Sequence, residues 1–174
     1  RELDRPLVLD ADGLNAFEGR LASLAGTRAP LILTPHLGEM ARLVGSDPGA
    51  VEAERLVLPG RVAAETGQVV LLKGSPSVVA ASGEPAVLCD RGNPGMATAG
   101  AGDVLTGVIL GLLGQGLRPY DAAVLGMEVH ARAGDRAAAE LGLHGMLAGD
   151  ILAAVPGVLK ELARGAGKGK EIEW

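Results

Sequence analysis

Aromatic side chains are nearly missing from this sequence: Phe17, Tyr120 and Trp174 are the only ones in 174 residues. Basic residues are not in excess either. There are 16 Lys and Arg against 21 Asp and Glu, a net charge of −5, and no basic patch stands out. A nucleic-acid binder needs a cationic surface, often with stacking rings, so that class of partner is set aside. Cysteine occurs once, at Cys89, which excludes a disulfide within the chain and accords with a reducing, cytoplasmic setting. The longest apolar run, near Val104 to Leu113, falls short of the about 20 residues that a helical membrane span takes, so no membrane partner is expected. Two nucleotide signatures are absent as well. There is no GK[ST] of a Walker A loop, and no GxGxxG follows a strand, which argues against a redox enzyme. His130 and His144 lack ligand spacing with His36, which argues against zinc. No signal peptide is visible, and the chain opens on Arg1 and not Met, so it is expected to begin partway through a larger product.

What is present is a globular composition, 48% hydrophobic and 21% charged. The length fits one domain, which would bury about 70% of its unfolded surface. Short apolar runs at Leu7–Leu9, Leu31–Leu33 and Val69–Leu72 read as buried strands, and "SVVAA" and "AVLC" as a hairpin across Ser82 to Pro85. Helices are expected from about His36 to Leu43, closed by Gly45, and from Pro48 to Thr66, kinked or split at Pro59 and Gly60. Val104 to Leu113 is apolar on nearly every face, which predicts a helix buried on all sides, with Gly107 and Gly111 permitting close packing. "DAAVLGMEVHARAGDRAAAELG" predicts another helix, "AGDILAAV" and "PGVLKELARG" two shorter ones, and residues 166–174 a flexible tail. Strands alternating with helices predict an α/β fold, a mostly parallel central sheet with helices on both faces. Ligands of such sheets sit beyond the carboxyl ends of the strands. Asp10, Asp12, residues 34–36 and 73–77, and a glycine-rich loop all fall there.

That loop, "NPGMATAGAGDVLTG", leads into the apolar run. The first amides of a helix have no intrahelical partner, and Gly100, Ala101 and Gly102 carry too little bulk to keep a phosphoryl oxygen away. Asp103 at the helix start would stay ionised and could serve as a base toward an attacking hydroxyl; alternatively it caps the helix and the glycines form a tight turn. Lys73, beside Gly74, Ser75, Pro76 and Ser77, suits a diphosphate as a point charge, or is a solvated lysine at a strand end. His36 and Glu39 can share a helical face, His36 bonding a ligand and Glu39 holding magnesium through water, or be an ordinary helix start. "DADGLN" offers a carboxylate cluster or a turn in which Asp12 caps the next helix. His130, in an alanine-rich helix, reads as a packed histidine.

In their order, "DADGLN", "TPHLGEMARL", "LLKGSPS", "NPGMATAGAGDVLTGVILGLLGQG" and "HARAGDRAAAELGLHGMLAGDIL" resemble the ADP-dependent NAD(P)H-hydrate dehydratases of the ribokinase-like superfamily. The resemblance runs from about Leu7 to Pro156, and "GAGD" within it is shared with sugar and vitamin kinases. It implies repair of hydrated NADH or NADPH, with ADP as co-substrate giving AMP and phosphate, and Mg²⁺ as cofactor. It implies Asp103 as base and substrate contact and His36 as substrate contact. Residues 73–77, with Gly100, Ala101 and Gly102, would hold the nucleotide, and Glu39 would serve magnesium. It further implies a homotetramer, sometimes with an epimerase domain fused or associated. Residues 1–165 would be the C-terminal part of the dehydratase domain, because relatives carry early strands before "DADGLN". Family members usually have a glycine and a threonine at the positions of Ala99 and Ala101, and a threonine at Ser77, so phosphate binding here leans more on backbone amides. A vitamin or sugar kinase, or a nucleotide-binding module without catalysis, is the competing reading.

Overall fold

The structure is a computed structural model that describes residues 4–166. Three strands, β1 (Leu7–Leu9), β2 (Leu31–Leu33) and β3 (Val69–Leu72), lie side by side and parallel. Two more, β4 (Ser77–Ala80) and β5 (Val87–Cys89), continue the sheet as an antiparallel hairpin, so the order is β1-β2-β3-β4-β5. The expected hairpin is there. The sheet is mixed, however: two of its four pairings are parallel and two antiparallel. A four-residue turn after β3 is too short to carry a crossover, so β4 must fold back beside it.

Side-chain alternation along these strands feeds two cores. Leu31, Leu33, Val70 and Leu72 point to one face, against α2 (Leu37–Val44), α3 (Pro48–Ala53) and α4 (Leu58–Thr66). Ile32, Val69, Leu71 and Val79 point to the other, against α5 (Ala101–Gly114) and α6 (Pro119–Leu141). Ile32, Leu33, Leu71 and Leu72 are fully enclosed. Truncating any of them to alanine would cost about 2–5 kcal/mol. A third cluster, including Val129, Ala133, Ile151 and Val158, joins α6 to α7 (Ala148–Ala166). A short helix, α1 (Asp12–Asn15), follows β1 directly. Helices thus cover both faces, as expected.

Four expectations change. The helical stretch after Pro48 splits at residues 54–57, not at Pro59, which sits in the first turn of α4, where a missing N–H costs nothing. The two short C-terminal helices are one, α7, running through Pro156; Leu152, four residues earlier, is exposed like Pro156, so the lost hydrogen bond lies on the solvent side. α7 also takes in Ala166, and the rest of the expected tail lies outside the described residues. Helix α5 is not enclosed: Asp103, Gly107, Leu110, Gly111 and Gly114 form an exposed stripe, and a Cβ at Gly107 or Gly111 would meet nothing within 4 Å. Glycine and leucine carry no polar mark, so composition could not reveal this uncovered side.

Candidate active site

A cavity of about 790 Å³ opens beyond the carboxyl ends of the parallel strands. One wall carries His36, Arg55 and the loop after β3 with Lys73, Gly74, Ser75 and Ser77. Facing them are Arg91 to Pro94, Met96 to Thr98, the first turn of α5 at Ala101 and Gly102, and Met127 and His130 of α6. That volume lies within the usual range for small-molecule sites.

The start of α5 is built open. Its N-cap is Gly100 at φ 86°, in the left-handed region that glycine enters without strain, and no side chain caps the helix. Among the described residues, the amides of Gly102 and Asp103 have no hydrogen-bond acceptor, whereas the Ala101 amide donates to the Thr98 carbonyl. His130 steadies this turn from α6: its Nε2 lies 2.9 Å from the Ala101 carbonyl, to which it must donate. Burial pushes the His130 pKa below its ordinary value, with the Lys73 ammonium contributing, and the Ala101 hydrogen bond opposes the shift. The loop in front is tied down by Asp135, which accepts from the Gly92 amide and from Asn93 Nδ2. Met96 packs over Gly134, where any Cβ would collide with its sulfur at 2.2 Å. "NPGM" and "RAGD" therefore belong together in space, although 35 residues of chain, 97–131, stand between them.

Charged side chains at the strand ends hold one another. Lys73 Nζ is 2.6 Å from Asp10 and 3.6 Å from Glu39, and Asp10 also accepts from the Thr106 hydroxyl at 3.1 Å. Asp10 is thus a tether between β1, β3 and α5, and not a free acid. Lys73 lines the cavity with its ammonium already paired. At the start of α2, His36 Nδ1 accepts from the Gly38 and Glu39 amides, and Glu39 Oε2 accepts from the His36 amide at 2.7 Å, a closed capping box. With Nδ1 accepting, His36 carries its proton on Nε2. The loop after β3 closes on itself, Ser77 Oγ donating to the Gly74 carbonyl and accepting from its amide.

Of the residues expected at the site, His36, Lys73, Gly74, Ser75, Ser77, Ala101 and Gly102 line one cavity. Pro76 and Gly100 do not line it, although a chain neighbour of each does. Asp103 does not line it: the carboxylate is exposed on the first turn of α5, one residue past the wall. Glu39 is buried, and its Oε2 is already engaged. No group of three or more His, Cys, Asp or Glu among the described residues could hold a metal ion, and Asp10 and Glu39 are both engaged, so these residues do not fit a directly bound magnesium. His130 is packed, as expected, but it is also part of the wall. Sequence reasoning missed Arg55 and Arg91, which lie in ordinary charged stretches. Asp10 had one legible signal, an acid directly after an apolar run, although that run, β1, is only half-buried and not the buried strand expected.

A mixed α/β sheet of this order, covered by helices on both faces, is the ribokinase-like fold, and it sets an uncapped glycine-led helix start beside the strand ends. The sequence pattern of the NAD(P)H-hydrate dehydratase family matches residues 1–157, and the chain belongs to that family. The bifunctional NAD(P)H-hydrate repair enzyme Nnr of Moorella thermoacetica is 49% identical over 157 residues, 90% of this chain and 30% of its own length. The ADP-dependent (S)-NAD(P)H-hydrate dehydratase of Neisseria meningitidis is 41% identical over 151 residues, 85% of this chain and 51% of its own. Among solved structures, the ADP/ATP-dependent NAD(P)H-hydrate dehydratase of Bacillus subtilis, co-crystallised with ATP/Mg²⁺, superposes with a TM-score of 0.79 at 31% identity, over 91% of this chain and 55% of that one. The chain therefore spans about half the length of the single-function relatives it matches and less of the bifunctional ones.

Proposed function

We propose that this chain carries the nucleotide side of an ADP-dependent NAD(P)H-hydrate dehydratase, which returns hydrated NADH and NADPH to their reduced forms with release of AMP and phosphate. The open first turn of α5, set in the wall of a cavity opposite residues 73–77, carries the reading. Its unpartnered amides and the helix dipole suit the diphosphate of ADP. In the reaction, the ring hydroxyl oxygen bonds to the β-phosphorus, the bond to AMP breaks, and Asp103 takes the hydroxyl proton. Phosphate is a far better leaving group than hydroxide. The ring nitrogen's lone pair expels it, and loss of a proton from the adjacent ring carbon completes the dihydropyridine. Asp103 lies outside the nucleotide cavity, so the hydrated ring would approach α5 from the exposed side, with the transferred phosphoryl group between them. His36 would contact that substrate. Glu39, through water, would serve a magnesium ion whose charge would offset that of the diphosphate. Residues 1–165 would form the C-terminal part of the dehydratase domain. The bifunctional relatives support an epimerase domain, fused or associated, as a partner, and a cytoplasmic homotetramer completes the proposal. No helix among the described residues is long and apolar enough to cross a membrane.

The test is to mix the protein with ADP and hydrated NADH and follow the reduced-nicotinamide absorbance. Recovery is expected. No recovery, with ATP-driven phosphorylation of a vitamin or sugar alcohol instead, would make this a small-molecule kinase. ADP binding without turnover of any acceptor would make it a binding module.

A further inference from the structure

We infer that Arg55 is the positioning residue of the nucleotide loop: it holds residues 73–77 in the conformation that binds ADP, an inference that rests on the nucleotide cavity proposed above. Arg55 lies between α3 and α4, far from the loop in sequence, and is only 6% exposed. A buried guanidinium is costly unless its donors are satisfied. Two of its nitrogens engage Glu52, Nε at 2.9 Å and Nη2 in the same ion pair. Nη1 donates instead to the loop backbone, to the Pro76 carbonyl at 2.9 Å and the Lys73 carbonyl at 3.5 Å. Because a trans peptide places its C=O and N–H on opposite sides, holding the Lys73 carbonyl turns the Gly74 amide away from the guanidinium, toward Ser77 Oγ, where it is found. Gly74 completes the fit. At φ +150° its missing side chain leaves the space that the guanidinium fills, and a Cβ there would lie 2.3 Å from Nη1. The Glu52 carboxylate already balances the charge of Arg55, so the side chain contributes shape and not net potential. The same guanidinium lines the cavity together with the loop it holds.

The test is calorimetric titration of ADP into the wild-type chain, Arg55→Met and Arg55→Lys, with hydrogen exchange measured across residues 73–77. Both variants should raise the ADP dissociation constant about tenfold or more. Lysine should not rescue, because a point charge cannot span Glu52 and two carbonyls at once. Exchange should quicken at residues 73–77 and stay unchanged in α6. A folded Arg55→Met whose affinity stays within about twofold of wild type overturns the inference, as does full rescue by lysine. Gly74→Ala strikes the same contact from the loop side and should weaken ADP similarly. If the Arg55 variants fail to fold, Gly74→Ala decides, and wild-type affinity there overturns the inference; failure of all three to fold overturns it too, since Arg55 would then hold the domain and not the loop. A wild-type chain that does not bind ADP sinks the functional reading instead. Exchange then judges the inference alone, and unchanged rates at residues 73–77 in Arg55→Met overturn it.

Discussion

Helices α2 and α5 both start at the carboxyl edge of the sheet, yet their first turns are finished in opposite ways. α2 closes itself: the His36 ring accepts two of its leading amides, and Glu39 reaches back to the His36 amide. α5 begins on a glycine in the left-handed region, with no capping side chain and two amides left without acceptors among the described residues. A self-capped helix start is spent on stability. An uncapped one beside a cavity is stability withheld, available to whatever anion enters. Two helix ends of the same protein, both lining one cavity, thus have different uses.

The sharpest way to break this contrast is at Asp103. Asp103→Asn should lower turnover roughly a hundred- to ten-thousand-fold and leave ADP binding nearly intact, because the base is lost while the amides remain. Steady-state rates beside calorimetric titration would read it, and equal losses in both would make Asp103 a helix cap like His36. Next comes Gly102→Ala. A Cβ at Gly102 would sit at ordinary contact, 3.5 Å from Asp10 Oδ2 and from Lys73 Nζ, so the fold accepts it. Alanine should raise the melting temperature through better helix propensity, yet weaken ADP about tenfold by crowding the anion. Unchanged affinity would show that phosphate does not approach this turn.

At the closed helix the effect should be smaller and of the other kind. His36→Ala removes a cap and should cost about 1 kcal/mol of folding stability, with His36→Asn restoring most of it; denaturant unfolding measures both. Smallest is a pH effect at His130. Its folded pKa is depressed from the ordinary 6.5, so the unfolded chain takes up a proton that the folded chain refuses. Stability is then complete above about pH 6.5 and erodes as pH falls below that value toward the depressed one. Urea midpoints collected across that window should fall with pH, and His130→Gln should flatten the slope whatever it does to the absolute midpoint. An unaltered slope would show that His130 is not what couples the open helix start to pH.

Most strands and the capped helices were legible because their signals are local. Leu31–Leu33 is an unbroken apolar run, and Pro48, Gly45 and Gly67 sit where helices begin and stop. The glycine loop could be read as an anion site because steric bulk is a property of each residue alone. Other features were not legible, for the complementary reason. Nothing local announces that Arg55 bonds the Pro76 carbonyl, or that Asp10 is consumed by Lys73 and Thr106. Such pairings cross tens of residues, and each partner in isolation looks like an ordinary surface charge. The exposed stripe of α5 was misread because small and apolar residues look alike whether covered or bare.

By itself, then, the sequence determined which segments become strands and helices, where backbone must stay bare, and to which family the chain belongs, since all three depend on residue type and order. Tertiary structure decided which charges are spent on each other, which amides among the described residues are left without acceptors, and that Asp103 is exposed next to the cavity without lining it. Those are matters of distance between side chains brought together by folding, and distance is what a linear sequence does not contain.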